Sequence, residues 1–209
     1  MNAENAENAE NAADAENAVD AENAVDDGSR PRPRRRRRWW AAVAAAVVIA
    51  TAGVATARLF VWPRHGMPAH VDAIVMMNGP GHRLQAAEVL AWAHRAPMLL
   101  VSRGSTFWGH GSACAARIPA VTVMCFDPSP SSTRGEAEFA GRVARRYHWR
   151  SVALVTTPDQ ATRARIRMQR CFHGQVYVTT TPLPSSDWPG AIGYEWAATV
   201  KALLIQRAC

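Results

Sequence analysis

Two hydrophobic patterns divide the chain. Ala41 to Ala57 is an unbroken run of seventeen uncharged residues, rich in Ala and Val. Beyond Gly66 the apolar positions come in short bursts instead. VDAIVMM (71–77), PMLLV (97–101), VTVMC (121–125), SVALVT (151–156) and VYVT (176–179) have the length and composition of buried strands. Between them lie segments with helical spacing: His82 to His94, Thr133 to about Tyr147, Thr157 to about Phe172, and Ile192 to Gln206, with a short helix near Ser112 to Arg117. Thr133 with Glu136 reads as a capping box, and Thr157 as an N-cap followed by Pro158, whose missing N–H costs nothing at a first helical position. Apolar strands that do not alternate with polar residues are buried on both faces. Five of them with intervening helices predict a parallel sheet covered on both sides, a Rossmann-like, doubly wound α/β domain over residues 66–209.

The long apolar run has the dimensions of a membrane span. From Trp39 to Trp62 there are 24 residues, which at about 1.5 Å per residue cross a hydrocarbon core of about 30 Å. Trp39, Trp40 and Trp62 suit the two interfacial belts, and Arg58 can reach the far head groups. Arg30, Arg32 and the run Arg34 to Arg38 precede the segment. The positive-inside rule then keeps the N-terminus in the cytoplasm and sends the folded domain across a plasma membrane as a single-pass protein. Ala55-Thr56-Ala57 also resembles a processing site after an apolar region, the competing reading of a cleaved signal. Both place the domain outside the cytoplasm.

Composition changes the picture at the N-terminus. Residues 1–28 repeat Asn-Ala-Glu with Ala-Val-Asp variants and hold nine carboxylates, no basic residue and no aromatic. Such a stretch buries too little apolar surface to offset its ordering entropy, so residues 1–38 read as a disordered acidic tail ending in an arginine block. From Trp39 onward the net charge is +9, and only Lys201 among all the basic residues is a lysine. Membrane topology accounts for the arginine block, so no nucleic-acid partner is expected; the expected partners are the bilayer and an anionic small molecule or lipid-linked ligand. Cys114, Cys125, Cys171 and Cys209 all lie beyond the span, an even number consistent with two disulfides in an oxidising compartment. Three pairings exist; coarse placement favours Cys114–Cys125 with Cys171–Cys209. No C-x2-C or H-x3-H spacing calls for zinc, and no cofactor motif is present.

In a doubly wound sheet the ligand sits beyond the carboxyl ends of the strands, where strand order reverses. Four loops qualify: Asn78 to Arg83, Ser102 to Ser105, Phe126 to Glu136, and Thr156 to Arg163. They offer Gly79 for close backbone approach, Ser102, Gly104, Thr133, Thr156 and Thr157 as donors, and Arg83 and Arg163 near helix starts, an arrangement suited to phosphate or carboxylate. Arg165, Arg167 and Arg170 share a helix with Arg163 and read as a solvated basic face, with Arg167 outermost. Gly79-Pro80-Gly81 is neither a dinucleotide fingerprint nor a P-loop, and Ser102-Arg103-Gly104-Ser105 is not a nucleophile elbow.

The segments VDAIVMMNG (71–79), Arg83, LLVSRG (99–104), PSPSSTRGEAEFA (128–140), VALVTTPDQATRAR (152–165) and Arg170-Cys171-Phe172 resemble, in order and spacing, the YdcF-like family, which includes the SanA and ElyC envelope proteins. The resemblance implies a Rossmann-like fold behind a single membrane anchor and a role in envelope biogenesis or barrier function. It also marks a departure. Gln160 stands where the family pattern places a histidine in the first turn of the fourth-strand helix. Glutamine hydrogen-bonds a ligand but transfers no proton near neutral pH. Asp159 is adjacent, about 100° around the helix.

Two function classes fit. One is a membrane-tethered binding protein that uses Asn78, Gly79, Arg83, Ser102, Gly104, Thr133, Glu136, Thr156, Thr157, Gln160 and Arg163 to hold an anionic, phosphate-bearing envelope ligand. The other is an enzyme acting on a phosphate-bearing lipid carrier or wall precursor, with Glu136 or Asp159 as its base. Gln160 and the lack of a nucleophile favour the first. The topology has a direct test. A reporter fused after Cys209 is expected to be active when it requires export and silent when it requires the cytoplasm; the opposite result refutes the orientation.

Overall fold

The computed structural model describes residues 34–103 and 114–209. Residues 1–33, Gly104 and the start of the short helix expected at Ser112 lie outside the described residues, whereas Arg34 to Arg38, expected to end the disordered tail, are helical. The chain divides into two compact units, residues 1–48 and 49–209. In the first, the described part is helical. This is the start of α1, Arg34–Thr56, which continues as a π-helical turn over Ala57–Val61. The stretch Arg36–Val61 is long and apolar enough to cross a membrane.

Among its described residues the second unit holds five strands: β1 (Ala73–Met76), β2 (Met98–Ser102), β3 (Thr122–Phe126), β4 (Ser151–Thr156) and β5 (Gln175–Thr180). All pair in parallel in the order β3-β2-β1-β4-β5. Among the described residues four long helices connect and cover them: α2 (Arg83–Trp92), α3 (Thr133–Arg146), α4 (Pro158–Cys171) and α5 (Trp188–Leu204). The α/β class and the all-parallel sheet predicted from the apolar runs are observed. Alternate strand residues face opposite layers, as the two-residue period of a strand requires. Val75, Leu100, Val152 and Leu154 pack with Ala137, Ala140, Ala161, Ala164 and Met168 of α3 and α4. Ile74, Met76, Leu99, Val101, Ala153 and Val155 pack with Ala87 and Ala91 of α2. Alanines on the inward helix faces let the helices lie close to the sheet. Because β1 pairs with both β2 and β4, strand order reverses at β1 and β4.

The end of the apolar run is used by the domain. Phe60 is 0% exposed and meets Trp196 of α5 edge to face, ring centroids 5.2 Å apart. Thr162 Oγ1 donates to the Leu59 carbonyl at 2.5 Å, and Trp196 Nε1 donates to Thr56 Oγ1 at 3.1 Å. The cysteines form Cys114–Cys125, which ties the segment before β3 to that strand, and Cys171–Cys209, which ties the C-terminus to the end of α4.

Two local expectations are corrected. Ser132, not Thr133, is the N-cap of α3, and its hydroxyl accepts from the Gly135 amide. The third helical residue is then Gly135, so Glu136 falls one position too late to close a capping box. The arginines of α4 are also not a solvated face. Arg167 is 5% exposed and donates to the carbonyl and the side-chain oxygen of Gln206, at 2.5 and 2.6 Å. Arg170 donates to the Ala202 and Gln206 carbonyls, each at 2.7 Å, and Arg165 to the Arg64 carbonyl at 2.7 Å. The end of α5 leaves carbonyls without intrahelical partners and carries partial negative charge, so cationic donors from the neighbouring helix settle there. Charge periodicity alone does not reveal such acceptors. Replacing Arg167 by Ala is therefore expected to destabilise the domain by about 1–3 kcal/mol, the cost of losing two charge-assisted hydrogen bonds to partly buried acceptors. Urea unfolding of the variant checks it, and unchanged stability would return Arg167 to the solvated face.

Candidate functional site

A cleft of about 530 Å³ opens beyond the carboxyl ends of β1 and β4. Its wall is built from the loop after β1, the N-terminal turns of α3 and α4, and the first half of α5. Of the residues selected from sequence, Asn78, Gly79, Arg83, Thr133, Glu136, Gln160 and Arg163 line it. Ser102, Thr156 and Thr157 do not. Each is 0% exposed and lies behind the wall. Gly104 lies outside the described residues.

A hydrogen-bonded chain of buried side chains shapes the cleft. Arg163 Nε and Nη2 donate to the two carboxylate oxygens of Glu195 at 2.7 and 2.6 Å. Its Nη1 donates to Thr133 Oγ1 at 2.6 Å. Thr133 Oγ1 also accepts from Gln160 Nε2 at 2.9 Å. With two accepted bonds, the Thr133 hydroxyl has only its proton left to offer. Gln160 Oε1 accepts from Arg83 Nη1 at 2.5 Å and from Thr156 Oγ1 at 3.2 Å. Arg83 Nη1 further donates to the Asn78 carbonyl at 2.7 Å, and Nη2 to Thr157 Oγ1 at 2.6 Å. Gln160 thus uses its donor and its acceptor at once, linking two arginines from separate helices.

The two arginines differ in kind. Burial pulls the Arg163 guanidinium down, but the bidentate Glu195 carboxylate more than offsets this and holds it above its ordinary value. Arg83 is 1% exposed, and among the described residues no carboxylate lies at salt-bridge distance from it. Burial lowers it to about 10, opposed at longer range by Asp159 and Glu136, so it stays charged at neutral pH. Its Nε has no acceptor among the described residues. The backbone folds closely over it. Gly79 has φ +144°, and a Cβ at that position would sit 2.5 Å from Arg83 Nη1.

The carboxyl groups are equally distinct. Burial raises Glu136 above the ordinary carboxylate range, countered by the nearby Ser102 hydroxyl, which lacks hydrogen-bond geometry, and by the Asn78 amide, which donates to Oε1 at 2.6 Å. Asp159 is buried and lines the cleft, and its Oδ1 has no partner among the described residues. The sequence placed Asp159 about 100° away from Gln160. Both reach the cleft because it wraps the open end of α4, not one flank of it. Thr157 occupies the N-cap position as expected, but its hydroxyl accepts from Arg83 and makes no cap bond. The N-terminus of α4 therefore meets the cleft without a side-chain cap.

Sequence reasoning found the helix of α5, from Ile192 onward, but did not bring it to the site. Glu195 and Tyr194 line the cleft, and Arg163 lies over the Tyr194 ring at 5.6 Å. One signal was available: Glu195 is the lone carboxylate within the predominantly apolar Trp188–Leu204, and where such an acid is buried it requires a cation.

No protein-family model, curated protein or solved structure matches this chain.

Removing one partner of the buried pair leaves the other charge uncompensated. Glu195→Ala is expected to cost about 3–5 kcal/mol. Glu195→Ala combined with Arg163→Met is expected to cost less than the two single changes added together. Denaturant unfolding of all four proteins completes the cycle, and additive losses would show that the pair is not coupled.

Proposed function

We propose that this protein is a membrane-anchored, extracytoplasmic, Rossmann-like domain of YdcF-like type that binds a phosphate-bearing ligand of the cell envelope. The observation that carries the reading is Arg83, a fully buried guanidinium on the cleft wall with no ion-pair partner among the described residues. A buried charge that only distant carboxylates offset, here Asp159 and Glu136, is costly to keep and is relieved by a counter-anion at contact distance. The surroundings agree. The uncapped start of α4 presents backbone N–H groups and the positive end of a helix dipole, and Thr133 has a proton to donate. The unpartnered Asp159 oxygen asks for a donor in return. The ligand that satisfies both is a phosphate ester that also carries a hydroxyl group.

The anchor and orientation rest on the apolar helix and the arginines before it, and the YdcF-like assignment on the resemblance of the loop segments. The strand order, with its reversal between β1 and β4, supports the Rossmann-like reading. A second reading, an enzyme acting on a phosphate-bearing lipid carrier or wall precursor, draws on Glu136. A cleft carboxyl raised by burial is suited to general acid work.

The test uses full-length protein in zwitterionic micelles, titrated with inorganic phosphate and with a hexose 1-phosphate. Amide shifts of Asp159 and Gln160 report on the cleft. Arg83→Gln is expected to weaken binding there by about ten- to hundredfold, and Arg83→Lys to recover part of it. Circular dichroism of both variants separates lost binding from lost fold. Equal affinity in wild-type and folded Arg83→Gln protein would overturn the proposal. Turnover of the ester that vanishes in Glu136→Gln protein would favour the enzyme.

A further inference from the structure

Another, smaller cavity of about 290 Å³ adjoins the cleft and shares Ser132, Thr133, Arg163 and Tyr194 with its wall. Its chemistry is one-sided. Arg134 from α3, Arg163 and Arg167 from α4 and Lys201 from α5 all line it, and no carboxylate does. Local partners neutralise two of the four: Arg134 bonds Glu138 at 2.6 Å, and Arg163 is held by Glu195 from the cleft side. Arg167 is tied to neutral oxygens of Gln206, and Lys201 has no ion pair among the described residues. Two net positive charges therefore face one cavity beside the N-terminal residues Ser132 and Thr133 of α3.

We infer that this basic cavity is a second anion site, distinct from the cleft, that takes a phosphate group through Arg134, Arg167 and Lys201. Like charges from three separate helices converge here, and one of them, Arg167, is buried. Burial, followed by repulsion from Arg170, Arg134 and Arg163, pulls Arg167 below its ordinary value. A bound dianion removes that repulsion and completes charge-assisted hydrogen bonds. The site draws on different cations from the cleft and does not depend on Arg83. A free phosphate ester and an anionic lipid head group present the same chemistry to it, and the test separates them.

Arg134 and Lys201 are exposed enough to be changed without emptying the core, so Arg134→Gln with Lys201→Gln is the informative variant. Full-length protein in zwitterionic micelles is titrated with inorganic phosphate, following amide shifts of Arg134 and Lys201 separately from those of Asp159 and Gln160. Wild-type protein is expected to show both responses. The double variant should lose the Arg134–Lys201 response, with affinity falling about tenfold or more, and keep the other. Arg83→Gln should do the reverse, so failure of one site is distinguishable from failure of the other. In discs containing phosphatidylglycerol, weaker phosphate binding at Arg134–Lys201 than in phosphatidylcholine discs identifies a lipid head group as occupant. Equal binding in the two identifies a soluble ester. A wild-type protein that shows no saturable response at Arg134 and Lys201, or a double variant that keeps the response, overturns the inference.

Discussion

Removing a guanidinium and a carboxylate from water costs several kcal/mol each, and only close pairing returns that energy. Arg163 and Glu195 meet this constraint by bonding through two parallel N–H donors, and much of the site follows from that pairing. The pair fixes α5 against α4, because Glu195 must lie beside Arg163 for both charges to stay buried. Arg163 then has an Nη1 donor directed at Thr133, Thr133 accepts from Gln160, and Gln160 accepts from Arg83. Side chains from α2, α3, α4 and α5 are held in one connected network. Shifting any one of them leaves a buried polar group unsatisfied, which is why such networks specify a single arrangement.

That network separates the two arginines into different roles. Arg163 gives its charge to Glu195 and becomes a positioning residue between two cavities. Arg83 makes its bonds to carbonyl, amide and hydroxyl oxygens, which orient the guanidinium without cancelling its charge. The cleft therefore keeps a fixed, desolvated cation next to a helix start, together with one carboxylate oxygen that lacks a donor. Gln160 supports this division. It holds no charge and takes no proton, so it can bridge Thr133 and Arg83 without changing the balance between them.

Arginine placement on α4 follows the same rule. Arg165, Arg167 and Arg170 each find backbone or amide oxygens at the ends of other elements: Arg64 after the π-helical turn, and Ala202 and Gln206 at the end of α5. Together with the Cys171–Cys209 bond these contacts hold the C-terminal helix to α4. Phe60 and Thr162 do the same for the segment that leaves the apolar helix. One helix thus organises both flanks of the domain.

The parallel sheet was legible in the sequence because buried parallel strands leave a local record: five runs of apolar residues with no polar alternation, separated by helical periods. Pro158 marked the start of α4 for an equally local reason, its lack of an N–H. Loop positions at strand ends follow from topology, which points to Asn78, Gly79, Arg83, Thr133, Glu136 and Arg163 on the cleft but equally to Ser102, Thr156 and Thr157 behind its wall, while Gln160 was marked by the family resemblance. The tertiary structure alone decided what each charge faces. Glu195 is distant from Arg163 along the chain and joins the site only because α5 packs on α4. Arg167 looks like a surface residue until the end of α5 lies over it. Thr157 has the sequence of a helix cap, yet Arg83 takes its oxygen. A backbone preference is settled by neighbouring residues, whereas the fate of a buried charge is settled by whichever distant group supplies its counter-charge or hydrogen bond.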